Sequence, residues 1–433
     1  MALGRGWRGA LRDLSLKGVS LGLERVCRFV VVVACARSLG EAAFGRFVFA
    51  STVTAMLAFG TDLGLGLWTT RELARKRIEP ERVVGVGLKL RALASIPYAL
   101  AIVATAAFAV RGDSRVAILV LGVAALVHAF VDHFGAVLRG HERFADEARL
   151  NTSRALSTAA AGLLVLALGP SLAALCVALA AASLGSFVYG VVLVWRLHPH
   201  AAHLARAAID RGLAKAALAQ SLPLWFAGLL SLLYFKVDTV FLQSMAGDTE
   251  LGAYGAAYKI FEGSMIAPSV VLAVAFPRLA RPHADVRGRR TLERKLSSGL
   301  FAMGLLGAGA CWLVGSPVVR AVYGHGFERA VVSLRILALG LPLLFVNYGL
   351  THFLVARDRG RATTLLALMM LVLNVSLDVA LIPRRLGPGA AWATVLSELA
   401  LTVCCLAALR LDSPALRTPP SAQGAARRDR RAA

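Results

Sequence analysis

The sequence predicts an all-α polytopic membrane protein of about 12 transmembrane helices arranged as two six-helix lobes. Three observations lead there. Hydrophobic residues fill 58% of the 433 positions, charged residues only 17%, and mean hydropathy is +0.67, a balance that soluble domains of this size rarely reach. Apolar runs near the ~20 residues that cross a bilayer recur along the chain between short basic segments. The second half of the chain repeats the plan of the first. The net charge of +23 raises nucleic acid as a partner. However, Arg and Lys sit in the short loops, where they act as a topology signal and attract anionic lipid.

The stretch 21–75 opens the pattern: two apolar runs flank a polar turn at 37–45, and the first run carries Glu24, Arg25 and Arg28. At 100° per residue, Lys17, Ser20, Glu24 and Arg28 share one narrow helix face, with Arg25 at its edge. A charge at the bilayer centre costs roughly 2.5–3.5 kcal/mol on insertion scales, so these groups are expected to face a wet interior. A basic start and the Ala34-Cys35-Ala36 triplet resemble a cleaved signal peptide. The charges interrupt that segment, and the first helix is expected to be retained.

After a basic loop at 71–82, further spans are expected at about 87–110, 116–138, 150–168 and 172–195. A connector at 196–215 pairs Arg206, Arg211 and Lys215 with Ala and Leu, the pattern of an amphipathic surface helix. Six more spans follow at about 216–235, 252–276, 297–319, 331–355, 362–382 and 389–409. The domain expectation is thus an N-terminal lobe 1–205, a C-terminal lobe 206–410 and a basic, disordered cytoplasmic tail 411–433. One alternating set of loops holds about 32 Arg and Lys against about 10 in the other. This imbalance predicts both termini on the cytoplasmic side of the cytoplasmic (inner) membrane.

The halves also echo each other in sequence. GEAAFGRFVFA at 40–50 matches GDTELGAYGAA at 247–257 in its Gly, acidic and Gly-x-aromatic positions, and each copy closes about thirty residues later on RELAR or PRLAR. Such a repeat relates two lobes by an axis along the membrane normal and puts a binding site between them near the midplane.

RSLGEAAFGRFVFA, followed by TDLGLGLWTTRELAR, resembles the opening of the polysaccharide-biosynthesis (Wzx-type) flippases of the multidrug/oligosaccharidyl-lipid/polysaccharide exporter superfamily. GAYGAAYKIFEGSMIAPSVVLAVAFPRLAR at 252–281 resembles the eighth span of the same family. The resemblance implies two lobes around a central cavity. It also implies transfer of undecaprenyl-diphosphate-linked oligosaccharide between leaflets for O-antigen, lipopolysaccharide or exopolysaccharide, with polysaccharide polymerase and chain-length machinery as partners. A cation-coupled drug exporter of the same superfamily is the alternative, and a membrane glycosyltransferase or polymerase a more distant one.

A diphosphate needs cationic partners, and Arg matches its geometry. Arg25 and Arg28 on the first span and Lys259 on the eighth are therefore the substrate-binding candidates. Glu24–Arg28 and Lys259–Glu262 also have the spacing of neutralising pairs within one helix. Glu24, Asp132, Glu262 and Asp378 are candidates for cavity lining or ion coupling, with His128 and Arg139 beside Asp132, and Asn374 beside Asp378. Asp62, Arg91, Lys236 and Asp238 read as span-end residues that snorkel or pair in loops. Gly60–Gly64 reads as a helix-packing pattern of small residues. Gly18-Val-Ser20-Leu-Gly22 fits a nucleophile elbow but opens a membrane helix, so no catalytic residue is expected. His198, His200 and His203 lack further ligands for a metal site, and no metal or cofactor is expected.

Overall fold

A computed structural model describes residues 2–198, 209–279 and 286–410. These residues form helices α1 (Ala2–Phe59), α2 (Leu65–Arg75), α3 (Pro80–Ala104), α4 (Asp113–Gly140), α5 (Phe144–Leu168), α6 (Leu172–Leu197), α7 (Arg211–Ser264), α8 (Ile266–Leu279), α9 (Val286–Tyr323), α10 (Glu328–Ala356) and α11 (Gly360–Arg410). The tail 411–433 lies outside the described residues, as do His200, His203, Arg206 and half of the expected connector helix.

Seven helical segments among the described residues are long and apolar enough to cross a membrane, fewer than the about twelve spans expected. The difference has two physical sources. The first is that α1 and α5, which carry polar stripes, are not among the seven. The second is continuity. At ~1.5 Å per residue, the 54-residue α7 and the 51-residue α11 far exceed the ~30 Å hydrocarbon core. Each of the long rods bends at one non-helical residue: Gly40 in α1, Gly247 in α7 and Leu386 in α11. Gly40 and Gly247 have φ of 77° and 82°, a region open to glycine because it has no Cβ. They are the first residues of the two matching segments, so the repeat read in the sequence is a repeated backbone kink.

The chain packs as two sets. Within the first set α1 lies along α4 and α5, and α6 closes on α4 and α5; within the second α7 lies along α10 and α11, and α9 on α10. The sets meet chiefly where α1 runs beside α7. Beyond the kinks this contact is backbone against backbone. A Cβ on Gly45 would lie 1.8 Å from the Asp248 carbonyl oxygen, and one on Gly252 2.0 Å from that of Glu41. Arg46 pairs with Asp248 at 3.4 Å and Asp113 at 3.0 Å, while Phe44, Tyr323 and Phe327 cluster at the same end. At the opposite end Trp225 Nε1 donates to the Phe59 carbonyl at 3.0 Å, Arg71 bonds Gln220 and Arg82 bonds Asp210.

Two local readings change. The Gly60–Gly64 segment is a turn that breaks the second expected span, with Gly64 at φ 74° against Ser221; Asp62 accepts from the Gly64 amide at 3.1 Å and holds that turn. Lys236 and Asp238 are not at a span end. The apolar run pauses there, but α7 continues unbroken to Gly247.

Candidate functional site

Between the two contact zones lies a cavity of about 640 Å³, walled by α1, α3, α4, α5, α6 and α7. Its charged lining has five basic side chains (Arg28, Arg91, Arg154, Lys236, Lys259) and four acidic ones (Glu24, Asp62, Asp132, Glu262). The helix spacing that put Glu24 and Arg28 on one face delivers both to this wall. Arg28 Nη2 donates to Glu24 Oε1 at 2.7 Å and is itself largely exposed.

Arg154 organises the first-set side. It is half-buried, and its guanidinium donates to Asp132 Oδ1 at 2.6 Å and to Glu24 Oε1 at 3.2 Å, tying α5 to α4 and α1. The planar fork serves two carboxylates at once, which a lysine could not do with the same geometry. Glu24 thus accepts from Arg28 and Arg154 together. Deeper in the wall, the fully buried Arg91 bonds Asp62 and donates to the Ala129 carbonyl at 2.7 Å. His128 Nε2 lies 3.0 Å from Ser183 Oγ.

α7 supplies the facing side. Lys236 and Lys259 approach it from either side of the Gly247 kink, and both donate to Glu262, at 2.8 and 2.9 Å. Lys236 also lies 5.2 Å from the centre of the Tyr258 ring, within cation–π range. Two ammonium groups on one carboxylate leave this side with excess positive charge. An anion entering the cavity would find that excess between two helices whose relative position sets its shape.

Arg28, Lys259, Glu24, Asp132 and Glu262 therefore meet in one cavity. Arg25 does not join them: it is exposed and absent from the lining, because one residue past Glu24 is 100° round the helix. Asp378 also lies elsewhere, fully buried among second-set helices, and both its carboxylate oxygens lack hydrogen-bond partners among the described residues. Nearby on α11, Asn374 Nδ2 donates to Ser397 Oγ at 3.4 Å. Arg154 is a cavity residue that sequence reasoning did not single out, and Asp62, Arg91 and Lys236, read as span-end residues, line the cavity as well.

Comparison with known proteins agrees with this architecture. A probable multidrug resistance protein NorM of Chromobacterium violaceum is 26% identical over 185 residues, 40% of this chain; the match spans only 39% of that protein. The probable low-salt glycan biosynthesis flippase Agl15 of Haloferax volcanii is 23% identical over 409 residues, 90% of this chain and 82% of that one. The solved structure of lipid II flippase MurJ, in an inward closed conformation, matches the fold with a TM-score of 0.71 at 13% identity, covering 91% of this chain and 87% of that chain. The family model for polysaccharide biosynthesis proteins matches residues 10–283. That is well over half of the sequence, and the chain belongs to this polysaccharide biosynthesis protein family.

Proposed function

We propose that this protein moves undecaprenyl-diphosphate-linked oligosaccharide across the cytoplasmic membrane by alternating access, without chemistry on the substrate. The observation that carries the reading is the cavity itself, where cations from α1 and α5 face cations from α7. In this proposal the kinks at Gly40, Gly247 and Leu386 divide the long rods, giving twelve spans in two lobes (1–205 and 206–410) with both termini cytoplasmic. Arg28 and Lys259 hold the diphosphate, assisted by Arg154 and Lys236. The sugar rests in the cavity.

The resident acids give the cycle its switch. Without substrate, Glu24, Asp132 and Glu262 neutralise the cations; an arriving diphosphate competes for them and changes which contacts hold the lobes together. A ligand shifts an equilibrium only by such differential contacts. Asp378, buried with no hydrogen-bond partner among the described residues, is the candidate for a coupling ion or proton.

A cation-coupled drug exporter is the second reading, favoured by the similarity to the NorM-named protein. One experiment separates the two. Purified protein in vesicles is given a fluorescent polyisoprenyl-diphosphate oligosaccharide in one leaflet, and its access to a quencher on the other side is timed. Acceleration by wild-type protein but not by Arg28→Ala or Lys259→Ala is expected. Equal rates in empty vesicles, with energised efflux of a cationic dye instead, would transfer the protein to the second reading.

A further inference from the structure

A second space, about 750 Å³, opens among α7, α8, α10 and α11. Its size is that of a small-molecule site, for which ~300–1,000 Å³ is usual. Its inner surface is hydrocarbon and ring: Phe235, Met265, Leu272, Phe276, Leu366 and Met370 all contribute. Polar side chains also line it, among them Tyr348 and His352, and most of the others are bonded within the wall. Glu398 accepts from the Tyr234 hydroxyl at 3.0 Å and from Asn347 Nδ2 at 2.7 Å. The hydroxyls of Ser231, Ser269, Thr351 and Thr363 donate to carbonyls of their own helices. What remains facing the space suits an apolar ligand.

Two relationships connect this cleft to the charged cavity. First, α7 is the party wall: Lys236 lines the cavity and its neighbour Phe235 lines the cleft, while Glu262 lines the cavity and Met265, one turn on, lines the cleft. Second, the wall runs on beside both spaces, because α7 ends at Ser264 and passes through Met265 into α8, which begins at Ile266. The outer lips of the cleft carry exposed apolar side chains, Val270 and Val274 on α8 and Leu365 and Met369 on α11, as an opening onto lipid requires.

We propose that this cleft holds the hydrocarbon chain of the transported lipid while its diphosphate sits at Lys236 and Lys259. This rests on the flippase reading and adds a second subsite to it. An anionic head joined to a long apolar chain needs a cationic pocket continuous with an apolar one. Those two environments lie on opposite sides of one helix. Because bilayer and cleft are both apolar, the cleft would act by packing the chain in a fixed place rather than by excluding water.

The test uses the full-length protein in a bilayer and a polyisoprenyl diphosphate with a diazirine at the far end of its chain. After illumination, adducts are mapped by mass spectrometry. The expected adducts fall on Leu272, Phe276 and Leu366, are displaced by unlabelled polyisoprenyl diphosphate and resist excess phosphatidylglycerol. Ala273→Trp with Ala367→Trp, which fills the cleft, is expected to remove them while diphosphate-headgroup binding in the cavity persists. Adducts confined to the outer lipid-facing surface, or equally displaced by phosphatidylglycerol, overturn the proposal and leave the flippase reading intact. Loss of headgroup binding in wild-type protein overturns both.

Discussion

Gly45 and Gly252 hold reciprocal places in one contact: each lies against a backbone carbonyl of the other's helix, Gly45 on Asp248 and Gly252 on Glu41. In the sequence match the two glycines are equivalent, and so are Glu41 and Asp248. Each contact is therefore the image of the other, and α1 and α7 meet there with no side chain between the backbones.

That closeness makes the contact sensitive. Gly45→Val or Gly252→Val should force the helices apart. Overpacking a tight site costs typically ~1–3 kcal/mol, and here it acts directly on the interface. Both variants should lower the melting temperature of the purified protein and reduce surface glycan. Gly185→Val is the control, since a Cβ there meets nothing within 4 Å. Wild-type stability and export in both interface variants would rule out a tight contact.

Arg154→Ala should strand Glu24 and Asp132 in the cavity wall. Breaking a fully buried pair costs ~3–5 kcal/mol; with Asp132 largely exposed, about 2–3 kcal/mol is expected. Arg154→Lys should recover part of the stability but not the two-carboxylate geometry, and so should export less than wild type. Thermal melts alongside glycan export check both statements.

His141 and His198, just beyond the ends of α4 and α6, meet with their Nε2 atoms 3.0 Å apart. Burial, followed by the nearby His198, Arg143 and Lys76, holds His141 below the usual histidine pKa; burial lowers His198 against the opposing pull of Glu81. The unfolded chain then takes up protons first on acidification. Stability from the pair is full above the unfolded value of about 6.5 and is lost as pH falls below it. Melting temperature should drop between about pH 7 and pH 5, and His141→Gln should flatten that drop. An identical pH profile in the variant would dismiss the pair as its source.

Topology offers a separate check. Reporter fusions after Arg196 and after Gly247 should read cytoplasmic and external respectively, as the distribution of basic residues requires. The opposite readings would invert the orientation proposed for the cavity.

The sequence made local relationships readable and long-range ones opaque. Glu24 and Arg28 are one turn apart, so helix periodicity alone placed them together, as it did Lys259 and Glu262. The kinks at Gly40 and Gly247 were visible as a repeated phrase, though not as kinks. Arg154 needed Asp132 and Glu24 beside it before it could be recognised, and those partners lie 22 and 130 residues away. Lys236 was misplaced for another reason. A charge after an apolar run looks like the end of a span, but here Glu262 and the Tyr258 ring accommodate it inside a continuing helix. His141 and His198 come together across 57 residues with no motif to announce them.

A contact in which each partner presents the same surface to the other is the kind that two identical polypeptides can make. The glycine crossing would therefore serve a half-length ancestor pairing side by side with its own copy. Gene fusion would preserve that crossing while releasing the two cavity walls from identity. One wall could then acquire a guanidinium clamp at Arg154 and the other a pair of lysines. The two walls thus differ in their charges around a junction that is the same on both sides.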